Sequence, residues 1–155
     1  MREILFRGKI PSKDEHFDDG EWVQGFYTCF NGKEHRIYSG YAETDCGDYY
    51  PDWCNVIPET IGQYTGLTDK NGKNIFEGDI VKNDWCFACG YSVIKFGQYK
   101  PLDMGNEYQQ GHLGFYLEHT HKADKRSVRK DIMYFANNCE IIGNIHDNPE
   151  LLKGE

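Results

Sequence analysis

The segment 58–82, P-E-T-I-G-Q-Y-T-G-L-T-D-K-N-G-K-N-I-F-E-G-D-I-V-K, constrains the fold of this 155-residue chain more than any other. Within it Ile61, Gln63 and Thr65 alternate with Gly62, Tyr64 and Gly66. A period of two puts alternate side chains on opposite faces of a strand, and the interspersed glycines let a second backbone approach closely. Asp69-Lys70-Asn71-Gly72 follows and ends on two residues that tolerate positive φ, so a tight turn is predicted. Alternation resumes with Ile75, Ile80 and Val81 after a break at Glu77-Gly78-Asp79. By itself this is a hairpin with a bulge; it speaks to fold and not to chemistry.

The rest of the chain is consistent with strands. Twelve Ile stand against 7 Leu and 4 Ala, and 11 Tyr, 9 Phe and 3 Trp are present, a balance that favours extended structure over helix. Ile4, Phe6 and Ile10 share one side of an extended segment that ends at Pro11. A polar, acidic connection over 12–20 leads to a strand at 22–30, a hairpin turn at Asn31-Gly32 and a strand at 34–39, which together make a meander. Residues 41–53 mix carboxylates and aromatics with Gly47 and Pro51, so they are expected to be an exposed loop without a regular element. Strands are predicted at 91–96, 113–117 and 139–145, with a long loop over 97–111. Val128, Ile132 and Phe135 recur at helical spacing and suggest a short amphipathic helix over 124–136, although D-I-M-Y-F also reads as extended. Asn148 as N-cap, Pro149 at the first helical position and Glu150 in the first turn predict one short terminal helix through Leu152.

Three stretches carry a resemblance to a known family. V-I-P-E-T-I-G-Q-Y-T-G-L-T-D-K-N-G-K-N-I-F-E-G-D-I-V-K, from Val56, strongly resembles the YopX family of small bacteriophage and prophage proteins. The opening R-E-I-L-F-R-G-K, from Arg2, and C-E-I-I-G-N-I-H-D-N-P-E-L-L, from Cys139, look like that family's start and end. The resemblance implies a phage-encoded, mostly β protein whose C-terminal part is an SH3-type barrel, and it brings no catalytic residues with it. The expected architecture is therefore mainly β, with an N-terminal strand meander over 1–57 packed on an SH3-like barrel over 58–155. One or two short helices complete a single compact unit.

Charge and chemistry narrow the function. The net charge of −8 disfavours general binding to a phosphate backbone, which relies on Lys and Arg displacing counterions. No apolar signal region and no run of 18 uncharged apolar residues is present, so neither a signal peptide nor a membrane span is expected, and the bacterial host's cytoplasm is the expected compartment. There the six cysteines should be mainly reduced. A nucleophile elbow, a zincin helix, a P-loop and a dinucleotide fingerprint are all missing, so no enzyme activity is expected.

Three residue sets remain as candidate sites. Asp45, Asp48, Tyr49, Tyr50, Asp52 and Trp53 combine carboxylates with the aromatics that dominate protein interfaces, and they are the leading protein-binding surface, beside the 97–111 loop. The bland reading of those aromatics is that they fold back onto the barrel. Lys122, Lys125, Arg126, Arg129 and Lys130 form the densest positive run and are the nucleic-acid alternative; otherwise they are a solvated helix face. Cys86 and Cys89 have C-x-x-C spacing that can hold half a zinc site, with His119 and His121 as further ligands, or they are ordinary thiols. No cofactor is required. The expected activity is binding of a host or phage protein, with a nucleic-acid accessory role or acidic mimicry of nucleic acid as alternatives, and a homo-oligomer is compatible with the composition.

Overall fold

A computed structural model of the chain describes residues 3–11, 20–43, 46–47, 49–83, 91–100, 111–120 and 131–153, with the side chains of residues 42, 49–51, 83 and 134–135 left aside. The chain is mainly β, with antiparallel strands and a few short helical turns. Two compact units divide it, Met1–Tyr64 and Thr65–Glu155. The sequence had suggested a boundary at residue 57.

The first unit is the expected meander, extended by a fourth strand. β1 (Phe6–Lys9), β2 (Trp22–Phe30), β3 (Glu34–Glu43) and β4 (Tyr49–Asn55) lie in the order β4-β3-β2-β1, and the first residues of β5 (Gly62–Thr68) pair with β1 on its other side. β2 forms where a strand is predicted before the Asn31-Gly32 turn, and it ends at Asn31 (φ +52) and Gly32 (φ +67), the two positive-φ residues that a tight hairpin needs. Its two halves have different neighbours. β1 covers Trp22 to Gly25, while β3 covers Phe26 to Phe30. At the changeover a Cβ on Gly25 would lie 1.9 Å from the Tyr38 carbonyl oxygen, so only glycine lets β2 and β3 meet there. Ile10, Ile37, Cys54 and Val56 form the buried core, with Phe6, Val23, Tyr27 and Ile61 packed on it.

Residues 41–53 are not the irregular loop the sequence suggested. β3 continues to Glu43, and β4 pairs with it from Glu43↔Tyr49 to Arg36↔Asn55. Pro51 is tolerated because β4 is the outermost strand of its sheet, where a missing N–H costs no ladder bond on the open side.

The second unit holds the later half of β5, β6 (Asn74–Phe76), and a four-stranded sheet in the order β10-β7-β8-β9. Its strands are β7 (Asp79–Asn83), β8 (Tyr91–Tyr99), β9 (His112–His119) and β10 (Cys139–Asn144). Ile75, Val81, Ile94, Phe115, Leu117, Ile132, Ala136 and Cys139 form its core. The tight turn predicted after residue 68 is organised by one carboxylate. Asp69 Oδ1 accepts the N–H groups of Asn71 and Lys73 at 2.8 and 2.9 Å, and Oδ2 accepts that of Ile141 at 3.1 Å. Lys70 N–H also donates to the Cys139 carbonyl, so the turn is fastened to a strand some 70 residues later.

Three local expectations are corrected in this unit. The loop expected over 97–111 is shorter, since β8 runs on to Tyr99 and β9 starts at His112, with Tyr99 stacked on Tyr116 at 5.3 Å; residues 101–110 lie outside the described residues. The helix expected over 124–136 is, in its described part, α1 (Ile132–Phe135), followed by a 3-10 turn, Ala136–Asn138. Asp131 is extended instead, bridging Tyr116 and accepting the Tyr99 hydroxyl at 3.3 Å. The terminal turn Pro149–Leu152 is 3-10, and Asn148 does not cap it with its side chain. That side chain turns back so that Oδ1 accepts the Asn144 N–H at 3.3 Å.

Candidate interaction face

Directly paired residues in an antiparallel ladder point to the same side of the sheet. Phe26 pairs with Tyr38, Tyr38 with Trp53, Thr28 with Arg36 and Phe30 with Glu34, so all of these share one face of β2, β3 and β4. On β1, Arg7 opposite Gln24 and Lys9 opposite Trp22 continue it. The opposite face is the buried one that carries Ile37 and Cys54. The outer face is therefore rich in aromatic rings, and four of them are open to solvent: Phe26 is 63% exposed, Phe30 52%, Tyr41 76% and Trp53 40%.

The cations of this face are held against the rings. The Arg36 guanidinium lies 4.0 Å from the Trp53 ring centre and 5.3 Å from that of Phe30, and it is ion-paired with Glu34. Arg7 and Lys9 both sit over Trp22, at 4.7 and 5.6 Å. Each such contact contributes about 0.5–1 kcal/mol at an exposed site, which biases a long side chain toward the ring but does not hold a fold together. The result is a face on which rings and cations are already in contact.

Of the sequence-selected protein-binding residues, Trp53 stands on this face; Asp52, the residue before it on β4, alternates away from it, and its Oδ2 accepts the Ser39 hydroxyl at 2.9 Å. Tyr49 and Tyr50 lie on β4 and are described through their backbone, while Asp45 and Asp48 lie outside the described residues. The basic set Lys122, Lys125, Arg126, Arg129 and Lys130 also lies outside them, as do Cys86, Cys89 and His121. His119 ends β9 with Nδ1 2.7 Å from the Ser92 hydroxyl. Among the described residues no three His, Cys, Asp or Glu gather as metal ligands.

Sequence reasoning missed Phe26, Phe30, Arg36, Tyr38 and Tyr41. Part of the signal was present, because Trp22, Phe26 and Phe30 fall four apart in a strand and so share a side. Their partners on β3 and β4 come from the register, which the sequence does not display.

The titrations away from this face are structural. Burial raises the Tyr27 hydroxyl pKa, and Cys29 raises it further; the Tyr27 oxygen lies 2.7 Å from His35 Nδ1. Burial likewise raises Tyr99, with the Asp131 carboxylate adding to it. The Cys139 thiol is pushed up to about 11, first by burial and then by the Asp69 carboxylate, so it is held as the neutral thiol.

Fold and face together define the class: a mainly antiparallel β protein of two units with an ordered aromatic surface on the first. The chain belongs to the YopX family, whose model, described as "YopX protein", matches residues 17–153. A solved structure titled "Crystal structure of protein EF1440 from Enterococcus faecalis" is similar at a TM-score of 0.52 and 22% identity, over 98% of this chain and 99% of that one. At that identity the likeness speaks for the β fold alone. No curated protein gives a significant match. No helix among the described residues is long and apolar enough to cross a membrane.

Proposed function

We propose that this YopX-family chain is a phage-encoded, non-enzymatic accessory protein that binds a host or phage protein in the bacterial cytoplasm through the outer face of its first unit. The observation that carries this reading is the exposure of Phe26, Phe30, Tyr41 and Trp53 on one sheet face around a clamped Arg36. Aromatic residues and arginine are the types most enriched at binding hot spots, and a side chain ordered before binding loses less entropy when the partner arrives. The second unit, which we read as the SH3-like barrel implied by the family resemblance, serves here as scaffold. Neither a metal nor a cofactor enters this function; metal analysis of the purified protein tests the zinc alternative at Cys86, Cys89, His119 and His121.

A nucleic-acid partner is the second reading, favoured by the contacts of Arg7 and Lys9 with Trp22, since single strands are bound by rings and cations together. The net charge of −8 weighs against it, and it equally suits an acidic surface that imitates nucleic acid. Affinity capture from infected or lysogenic bacteria, with and without nuclease, separates these. One stoichiometric protein that survives nuclease and is lost with Phe30→Ala/Trp53→Ala is the expected result. A broad set that vanishes with nuclease would transfer the function to nucleic acid.

A further inference from the structure

The outer face of the first unit contains a concavity of about 410 Å3, whose lining residues include Glu3, Leu5, Gln24, Phe26, Tyr38 and Tyr41. It arises from strand register. β1 ends its pairing with β2 at Gly25, β3 begins its own at Phe26, and β3 then shifts register between Tyr38 and Gly40. Such a bulge bends the strand that carries it and re-aims nearby side chains. Ser39 and Gly40, at the bulge, belong to the wall of the concavity.

The lining has a definite chemistry. Three of the lining residues, Phe26, Tyr38 and Tyr41, are aromatic, and Glu3 is the one charged residue among the described lining residues. Ring faces carry the negative part of the aromatic quadrupole, so rings and carboxylate favour a cation and oppose an anion. A neutral apolar group would bury area but leave Glu3 unused. The cations of the same face, Arg7, Lys9 and Arg36, are instead placed over Trp22, Trp53 and Phe30. Among cationic groups, guanidinium is planar, weakly hydrated, able to stack on rings and able to pair with a carboxylate through two hydrogen bonds.

We propose that this concavity receives an arginine side chain of the protein partner, stacked among Phe26, Tyr38 and Tyr41 and paired with Glu3. The partner is thereby a protein with a basic contact surface, complementary to a chain of net charge −8. This rests on the outer face being the docking surface.

The test titrates the full-length protein with three short peptides identical except for a central Arg, Lys or norleucine, and separately with a single-stranded DNA oligonucleotide, following backbone amide shifts by NMR. The expected result is that the Arg peptide shifts the Gln24, Ser39 and Gly40 amides and binds at least tenfold more tightly than the norleucine peptide. Glu3→Gln should erase that preference. Tyr41→Ala, which removes a lining ring that is 76% exposed, should abolish the binding at an unchanged melting temperature. Equal binding of Arg and norleucine peptides, no shift with any peptide, or shifts at these amides with the oligonucleotide alone would each overturn the proposal. In the lysate capture, loss of the partner with Phe30→Ala/Trp53→Ala but retention with Glu3→Gln and Tyr41→Ala refutes the concavity assignment while leaving the docking face in place. Retention with all of them refutes both.

Discussion

Asp69 shows how much one side chain organises. Burial by itself would raise its pKa, but the N–H groups of Lys73, Ile141 and Asn71 together outweigh that and hold the carboxyl below its ordinary value of 3.8. A carboxyl whose folded pKa is depressed contributes stability that is complete above the unfolded pKa and is lost as the pH falls through the folded one. Acid unfolding followed by circular dichroism should accordingly steepen below pH 3.8, and Asp69→Asn should flatten that limb. Replacement by Ala, which removes an ionised acceptor from three N–H groups, should cost about 2–4 kcal/mol in urea titrations. Gly25 is constrained sterically. Alanine there would drive its Cβ into the Tyr38 carbonyl, and thermal melts of Gly25→Ala should show a loss of about 3 kcal/mol or more. The four described cysteines divide by burial, Cys29 and Cys46 being exposed and Cys54 and Cys139 buried. A thiol reagent at pH 8 followed by peptide mapping should label the first pair in the native protein and the second only after unfolding, because Cys139 titrates near 11.

At the level of elements, the β2–β3 hairpin was the most readable part of the chain. Its turn residues, Asn31 and Gly32, are a local signal, and the turn appears where the sequence puts it. Gly32 has φ +67 and open space around it, so Gly32→Ala should cost about 1–2 kcal/mol of left-handed strain and leave partner capture unchanged. The β3–β4 hairpin was misread because Gly47 and Pro51 are loop signals by composition, whereas an edge position removes the penalty on proline. The sequence reading places Trp53 on a loop, whereas it stands on a strand with its ring against Arg36. In unit two, the turn at Asp69 was legible from its own residues; its fastening to Ile141 and Cys139 was not, since no local pattern announces a partner so far along the chain.

For the whole molecule, the boundary of the first unit matters more than its strand content. A fragment 1–57 lacks β5, which pairs with Phe6 and Arg7, and it lacks Ile61 and the Thr60 hydroxyl that accepts the Lys9 N–H at 2.9 Å. Such a fragment should give poorly dispersed NMR spectra, while a fragment carried to residue 68 restores these contacts and should be better ordered. The mainly β class, the meander, the central turn and the family were all fixed by local alternation, turn residues and motif, because these depend on neighbours in the chain. The outer face and its concavity were decided only in three dimensions. Phe26, Tyr38 and Trp53 come together through the register of three strands, and the space between them opens because β2 changes partners at Gly25 and β3 bulges after Tyr38. Register follows from how whole strands bury their inner faces together, and no single stretch of sequence contains that choice.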